Sequence, residues 1–175
     1  MRLNNGWVSG TGALILLAVV GLLAGCGSSN EAPTSPSPYD IKPFNEWPQD
    51  EKEKKVGQYL ESAWHDPAVP VFILTVDSRA TGDGESKSAD AELARLQTSK
   101  IASYRERGVK KVRIGGRPTI QWAFVAGGEA WIEFFFEECD TSFIVRGVSS
   151  PYAFPALSES FREMTSTIKV KGCDE

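Results

Sequence analysis

The sequence predicts an α+β fold in which an antiparallel β-sheet is flanked by helices on both faces, an α/β/α sandwich. Three observations carry this expectation. Segments of helical and strand-like patterning follow one another as helix, strand, helix, four strands, helix, which is a meander and not a βαβ array. Two strand-like runs, Pro118–Ala126 and Glu129–Glu138, flank Gly127-Gly128, a two-residue hairpin turn. Both faces of that hairpin are rich in apolar residues, so both call for a cover.

Taken in chain order, the folded part is expected to begin at Phe44. A helix is predicted over 48–64. Asp50 and Glu51 suit its positive end, Val56, Tyr59, Leu60, Ala63 and Trp64 fall on one stripe, and His65-Asp66-Pro67 stops it. Val69–Val76 is β-rich and reads as a buried strand, and 77–88, with Gly82 and Gly84, as a loop. A second helix is expected over 89–107, with Leu93, Leu96, Ile101 and Tyr104 on its apolar side and Gly108 as its C-cap. A strand at Val109–Ile114 and the turn Gly115-Gly116 lead into the hairpin. Thr141–Ser149 is a further strand, and Leu157, Phe161, Met164 and Ile168 mark a closing helix.

The two-residue turn pairs Ala126 with Glu129, Phe124 with Trp131, Trp122 with Glu133 and Ile120 with Phe135. The other face carries Ala123, Val125, Ile132, Phe134 and Phe136. Two outcomes are open for the face bearing Trp122, Phe124, Trp131 and Phe135. A helix covers it, or it stays exposed as a candidate ligand or partner face. The three amphipathic helices favour packing.

The N-terminus carries an address. Arg2 precedes an apolar run, Ala13–Ala24, and the small residues Ala24 and Gly25 suit a signal peptidase. The run is short of the roughly 20 residues a transmembrane helix needs. Leu23-Ala24-Gly25-Cys26 resembles the lipobox of bacterial lipoproteins. That resemblance implies a diacylglycerol on the Cys26 thiol, cleavage before Cys26 and acylation of the new amino group. Membrane lipid would hold the protein at the extracytoplasmic face of the cell membrane, firmly once two or three chains are present. Residues 27–43, with four prolines among small polar residues, cannot build a core and read as a tether. The expected organisation is a signal peptide over 1–25, the lipidated cysteine and tether over 26–43, and one globular domain over 44–175.

Lysine and arginine number 19 against 23 acidic residues, a formal net charge of −4. This disfavours nucleic acid or an anionic membrane surface as the main partner. Of the 3 cysteines, Cys26 is assigned to lipid, which leaves Cys139 and Cys173. In an oxidising compartment a leftover pair tends to be bridged, with a stabilisation of about 2–4 kcal/mol. Two free thiols or half of a metal site are the competing readings, and a metal site would need further ligands.

Little else in the sequence points to chemistry. His65 is the only histidine, and no Gly-x-Ser-x-Gly elbow is present. Glu133, Glu137, Glu138 and Asp140 cluster, but Glu133 and Glu137 would stand about 13 Å apart along a strand, too far for a carboxylate pair in hydrolysis. Asp77–Gly84 has the flavour of a calcium loop without the closing Glu. Arg105, Arg107, Lys110, Lys111 and Arg113 form a basic patch, read as a solvated strand edge or as a contact for phosphates or an acidic polymer. No catalytic residue, cofactor or metal is expected, and the protein is read as a non-enzyme.

Residues 89–170 resemble the family typified by the photosystem II extrinsic protein PsbP, the nuclear-transport factor Mog1 and small actinobacterial lipoproteins. The resemblance rests on a Gly-Arg-Pro turn at 116–118, the antiparallel meander, the Val-Arg-Gly strand end at 145–147 and the Met-Thr-Ser-Thr-Ile helix end at 164–168. It implies an α/β/α sandwich with a non-enzymatic accessory or binding role and no invariant active site. The first half departs from it, since the family often has extra strands where the helix over 48–64 is predicted. The functional expectation is an anchored interaction domain with an envelope protein partner, accessory or regulatory, with envelope-stress signalling as one setting. The alternative is a small-molecule or lipid-binding lipoprotein that uses the aromatic sheet face.

Overall fold

The computed structural model describes residues 38–56, 59–69, 73–80 and 87–173. The predicted signal peptide, Cys26 and most of the tether lie outside the described residues. The elements are β1 (Tyr39–Asp40), a 3-10 turn (Phe44–Glu46), β2 (Gln49–Val56), β3 (Tyr59–His65), β4 (Ile73–Ala80), α1 (Lys87–Thr98), β5 (Arg105–Ile114), β6 (Arg117–Ala126), β7 (Glu129–Glu138), β8 (Thr141–Ser149), α2 (Phe154–Ser166) and β9 (Lys169–Val170). β2 to β8 form an antiparallel sheet in the order β2-β3-β4-β8-β7-β6-β5, and β1 pairs with β9 beside it. Among the described residues, no helix is long and apolar enough to cross a membrane.

The hairpin stands as predicted. Ala126 pairs Glu129, Phe124 pairs Trp131, Trp122 pairs Glu133 and Ile120 pairs Phe135. Gly127 and Gly128 have φ of 62° and 88°, which a type I′ turn requires and side chains resist. β8 and the closing helix α2 also lie where the pattern put them, with Ile168 just beyond the helix end.

Three expectations are corrected. The helix over 48–64 is replaced by the antiparallel strands β2 and β3, with Val56 opposite Tyr59. Trp64 packs in the cluster that contains Phe161, whereas Tyr59 reaches Asp90 of α1. A single helical stripe cannot send those two rings to different clusters, but the alternation of a strand does. The strand predicted at 69–76 runs instead over Ile73–Ala80 and takes in part of the predicted loop, because β8 offers a partner for every residue from Ile73 to Ala80. The second helix ends at Thr98 rather than Arg107. Gly108, expected to cap it, lies in β5 at a bulge between Glu106 and Gly108. Ahead of Phe44, Tyr39 of β1 pairs Val170 of β9.

Neighbouring residues along each central strand go to different apolar clusters. Ile132, Phe134, Phe136, Phe143 and Val145 join Phe161 and Met164 of α2. Ile120, Trp122, Phe124, Phe135 and Ile144 join Ala91 of α1. The rotation of α1 differs from its predicted apolar side. Asp90, Ala91 and Thr98 point inward, and Leu93 and Leu96 are 54% and 60% exposed. Large rings already fill the space below, so small side chains fit the contact.

Two motifs of the family resemblance meet at α2. Gly147 lies against the Phe161 ring, where an added Cβ would stand 2.4 Å from Cδ2. Arg117, from the Gly-Arg-Pro turn, donates to the Thr165 carbonyl at 3.0 Å and to the Ser166 carbonyl at 3.4 Å, which satisfies open carbonyls at the helix end. Its guanidinium also lies over the Phe136 ring and pairs with Glu138 at 3.0 Å. Gly147→Ala is therefore expected to cost about 1–3 kcal/mol by overpacking. Part of that loss should return in Gly147→Ala/Phe161→Leu, as measured by urea unfolding.

The strand register sorts the loops to two ends. The turns at 115–116 and 139–140 share one end. Arg105, Gly127-Gly128, the end of β3 at His65 and Pro151-Tyr152 share the other. β1 sits toward the first end: Tyr39 meets Phe143 edge-on, with ring centroids 5.8 Å apart, and the Lys42 N–H donates to the Thr167 hydroxyl. The described chain therefore begins at the first end.

Candidate functional site

The predicted aromatic face is largely interior. Trp122 and Phe135 are 0% exposed and Phe124 2%, with Trp131 half-buried at the margin. Phe124 stacks between Trp122, at 4.0 Å, and Trp131, at 5.9 Å, and Tyr104 packs beside them. The open-face alternative is corrected accordingly: α1 and the Ile101–Tyr104 segment occupy the space that a ligand would need.

The buried polar groups tie elements together. Asp90 accepts two bonds from Arg79, at 2.8 and 2.9 Å, and one from the Ser142 hydroxyl at 2.8 Å. Arg79 also lies over the Tyr59 ring at 5.0 Å. This cluster joins α1 to β3, β4 and β8. Sequence reading missed it because Arg79 fell within a presumed loop and Asp90 looked like a helix-start acid. Glu133, nearly buried, pairs with Arg146 across β7 and β8 at 3.4 Å. The predicted acidic cluster is thereby divided between Arg146 and Arg117, its Glu133 on the former and its Glu138 on the latter. No group of three or more potential metal ligands lies together among the described residues.

His65 closes β3 and not a helix, and its Nδ1 lies 2.5 Å from the Asp50 carboxylate. Asp66 accepts from the Ala68 and Val69 N–H groups, at 2.7 and 3.3 Å, and shapes the turn. Cys139 and Cys173 form a disulfide with Cα atoms 5.7 Å apart. It fastens the chain just after β9 to the β7–β8 turn. Cys139→Ser/Cys173→Ser is expected to cost about 2–4 kcal/mol. Faster amide exchange at Tyr39 and Val170 would place the loss at β1–β9.

The exposed chemistry gathers on β5, the outer strand on this side of the sheet, and at the loop end beside it. Arg105, Arg107, Lys110, Lys111 and Arg113 are all exposed. Glu106 is the one acid in this strand, and its carboxylate is occupied. Arg95 donates to it at 2.8–2.9 Å and the Tyr104 hydroxyl at 3.1 Å. Burial pushes the Glu106 carboxyl up, but the bonds from Arg95 and Tyr104 outweigh this and hold it below its usual range. Burial, followed by the bond to Glu106, pushes the Tyr104 hydroxyl up. At the end of the strand a depression of about 600 Å³ is lined by Ser103, Arg105, Glu106, Arg107, Val125, Gly128 and Pro151. The Arg107 guanidinium is steadied over the Phe154 ring at 5.2 Å. Tyr152 stands beyond it, 96% exposed. The arrangement offers cationic groups, an exposed aromatic ring and a free strand edge. These are tools of recognition. The sequence flagged the basic residues but not Tyr152, which has no patterned neighbours.

No protein-family model matches the sequence, and no curated protein does. Among solved structures, the chain is similar to cyanobacterial PsbP (CyanoP) from Synechocystis sp. PCC 6803, with a TM-score of 0.58 at 10% identity over 86% of this chain and 99% of that one. PA94, a protein of unknown function from Pseudomonas aeruginosa, scores 0.48 at 10% identity, over 75% of this chain and 96% of that one. LpqN, involved in cell envelope biogenesis of Mycobacterium tuberculosis, scores 0.47 at 13% identity, over 75% and 82%. At these identities the likeness to CyanoP is one of fold. The order of the sheet, with its meander from β5 to β8 and the helix that follows, is a PsbP-like fold.

Proposed function

We propose that this is a lipid-anchored extracytoplasmic protein of the cell envelope that acts by binding a protein partner and not by catalysis. In this reading Cys26 carries the acyl chains, a proline-rich tether separates domain from membrane, and the domain is an α/β/α sandwich with α1 and α2 on opposite sheet faces. The observation that carries the reading is the polarity of the domain. The described chain begins beside the β7–β8 turn, while Tyr152, Arg105 and Arg107 lie at the other end of the strands; with Cys26 as anchor, that far end is the one the reading turns toward a partner. An accessory or regulatory role is compatible with that geometry, because a tethered domain would present its far end to whatever stands above the membrane.

Site-specific photocrosslinking in the native envelope tests this. A benzoylphenylalanine in place of Tyr152 is expected to give a discrete protein adduct, and one in place of Lys169, at the tether end, is expected to give none. Adducts of equal yield from both positions, or none from Tyr152, would count against the reading.

A further inference from the structure

We infer that the outer edge of β5 takes an acidic, extended segment of the protein partner as an added strand, an inference that rests on the partner-binding reading and names the partner's chemistry. Among the described residues β5 pairs on one side only, with β6, and forms the border of the sheet. From Gly108 to Ile114 its register with β6 is unbroken, Gly108 opposite Ala123 and Ile114 opposite Arg117. The backbone groups of alternate residues along that stretch therefore point outward, as a template for a further strand.

Charge selects the occupant. Lys110 projects on one face of the sheet, and Lys111 and Arg113 on the other, as their pairing with Gln121, Ile120 and Pro118 dictates. Among the described residues no carboxylate pairs with Arg105, Arg107, Lys110 or Lys111. Glu106 does not neutralise them, because Arg95 and Tyr104 already hold its carboxylate. In a chain with a net charge of −4, the β5 edge thus carries, among the described residues, a basic row without carboxylate partners. A second copy of this chain is a poor occupant, since pairing β5 with β5 sets lysines and arginines against each other. An extended acidic segment meets the same row with opposite charge on both faces, and Val109, 41% exposed, gives it an apolar contact on the face that carries Lys111 and Arg113. The bulge at Glu106–Gly108 ends the regular edge and turns Arg107 toward the depression, where the end of the segment would lie.

The test uses the protein and a fluorescent peptide of alternating glutamate and valine, with a lysine–valine peptide and soluble polyphosphate as controls. Anisotropy should show binding of the acidic peptide alone among the two peptides. Lys110→Glu/Lys111→Glu should weaken it about tenfold or more, with an unchanged melting temperature because both side chains are exposed. Hydrogen exchange should then show new protection at alternate amides within 108–114, those not bonded to β6. No binding of the acidic peptide overturns the inference. So does binding that leaves these amides unprotected, or polyphosphate alone giving the same protection, since either means that charge alone is recognised. If crosslinking from Tyr152 finds a partner and these measurements fail, the partner-binding reading stands without the added strand.

Discussion

Replacing Asp90 with alanine is expected to lower stability by about 3–5 kcal/mol, the scale for breaking a buried ion pair by removing one partner. Asp90 and Arg79 have side chains only 7% and 9% exposed, and the carboxylate accepts both Arg79 bonds and the Ser142 hydroxyl. Without it, the Arg79 charge stays below the helix with its two-bond partner gone. Urea unfolding measures the loss. The double replacement Arg79→Met/Asp90→Leu should cost much less, because an apolar pair of similar volume avoids the stranded charge. A small loss in Asp90→Ala would mean that α1 is held by something other than this cluster.

Trp122→Ala is the second large effect, again about 3–5 kcal/mol. The ring is fully buried, stacked on Phe124 and packed near Tyr104, and α1 lies over its cluster. Circular dichroism with urea unfolding should show a destabilised domain, and Trp131→Ala should show a smaller loss, in keeping with its half-buried place at the margin. If Trp122→Ala left stability intact, the aromatic face would have to be reconsidered as a binding surface.

These two positions also show what the sequence could and could not disclose. The hairpin was legible because a local signal, Gly127-Gly128, sets the register of every residue that follows it. Face assignments for Trp122, Phe124 and Phe135 came with it. β2 and β3 were not legible as strands, because Val56, Tyr59, Leu60, Ala63 and Trp64 satisfy a helical stripe equally well over so short a span. Gly57, in the middle of the supposed helix, was the local signal against it, since glycine there costs about 1 kcal/mol relative to alanine. The rotation of α1 was hidden for a different reason. Leu93 and Leu96 are its largest apolar residues, yet Asp90 is turned inward by Arg79 and Ser142, which are distant in sequence. Only the tertiary pairing reveals that choice.

The candidate site was legible in composition and not in arrangement. Arg105, Arg107, Lys110, Lys111 and Arg113 stood out as a basic run, but their separation from the acidic groups depends on β5 being at the border of the sheet. Arg117 and Gly147, noticed as parts of soft motifs, turn out to serve α2: one satisfies its last carbonyls and the other makes room for Phe161. These motifs therefore report packing around a helix, which explains why they carry no catalytic signature.

Anchoring and partner binding are tested together by crosslinking the full-length protein in its own envelope, recovering it, and reading both the adducts and the mass at Cys26 by mass spectrometry. The account predicts an acylated Cys26 at the mature N-terminus and a reproducible protein partner that is lost when residues 44–175 are removed. An unmodified Cys26 behind an uncleaved leader, or the same proteins recovered with the tether alone, would contradict it.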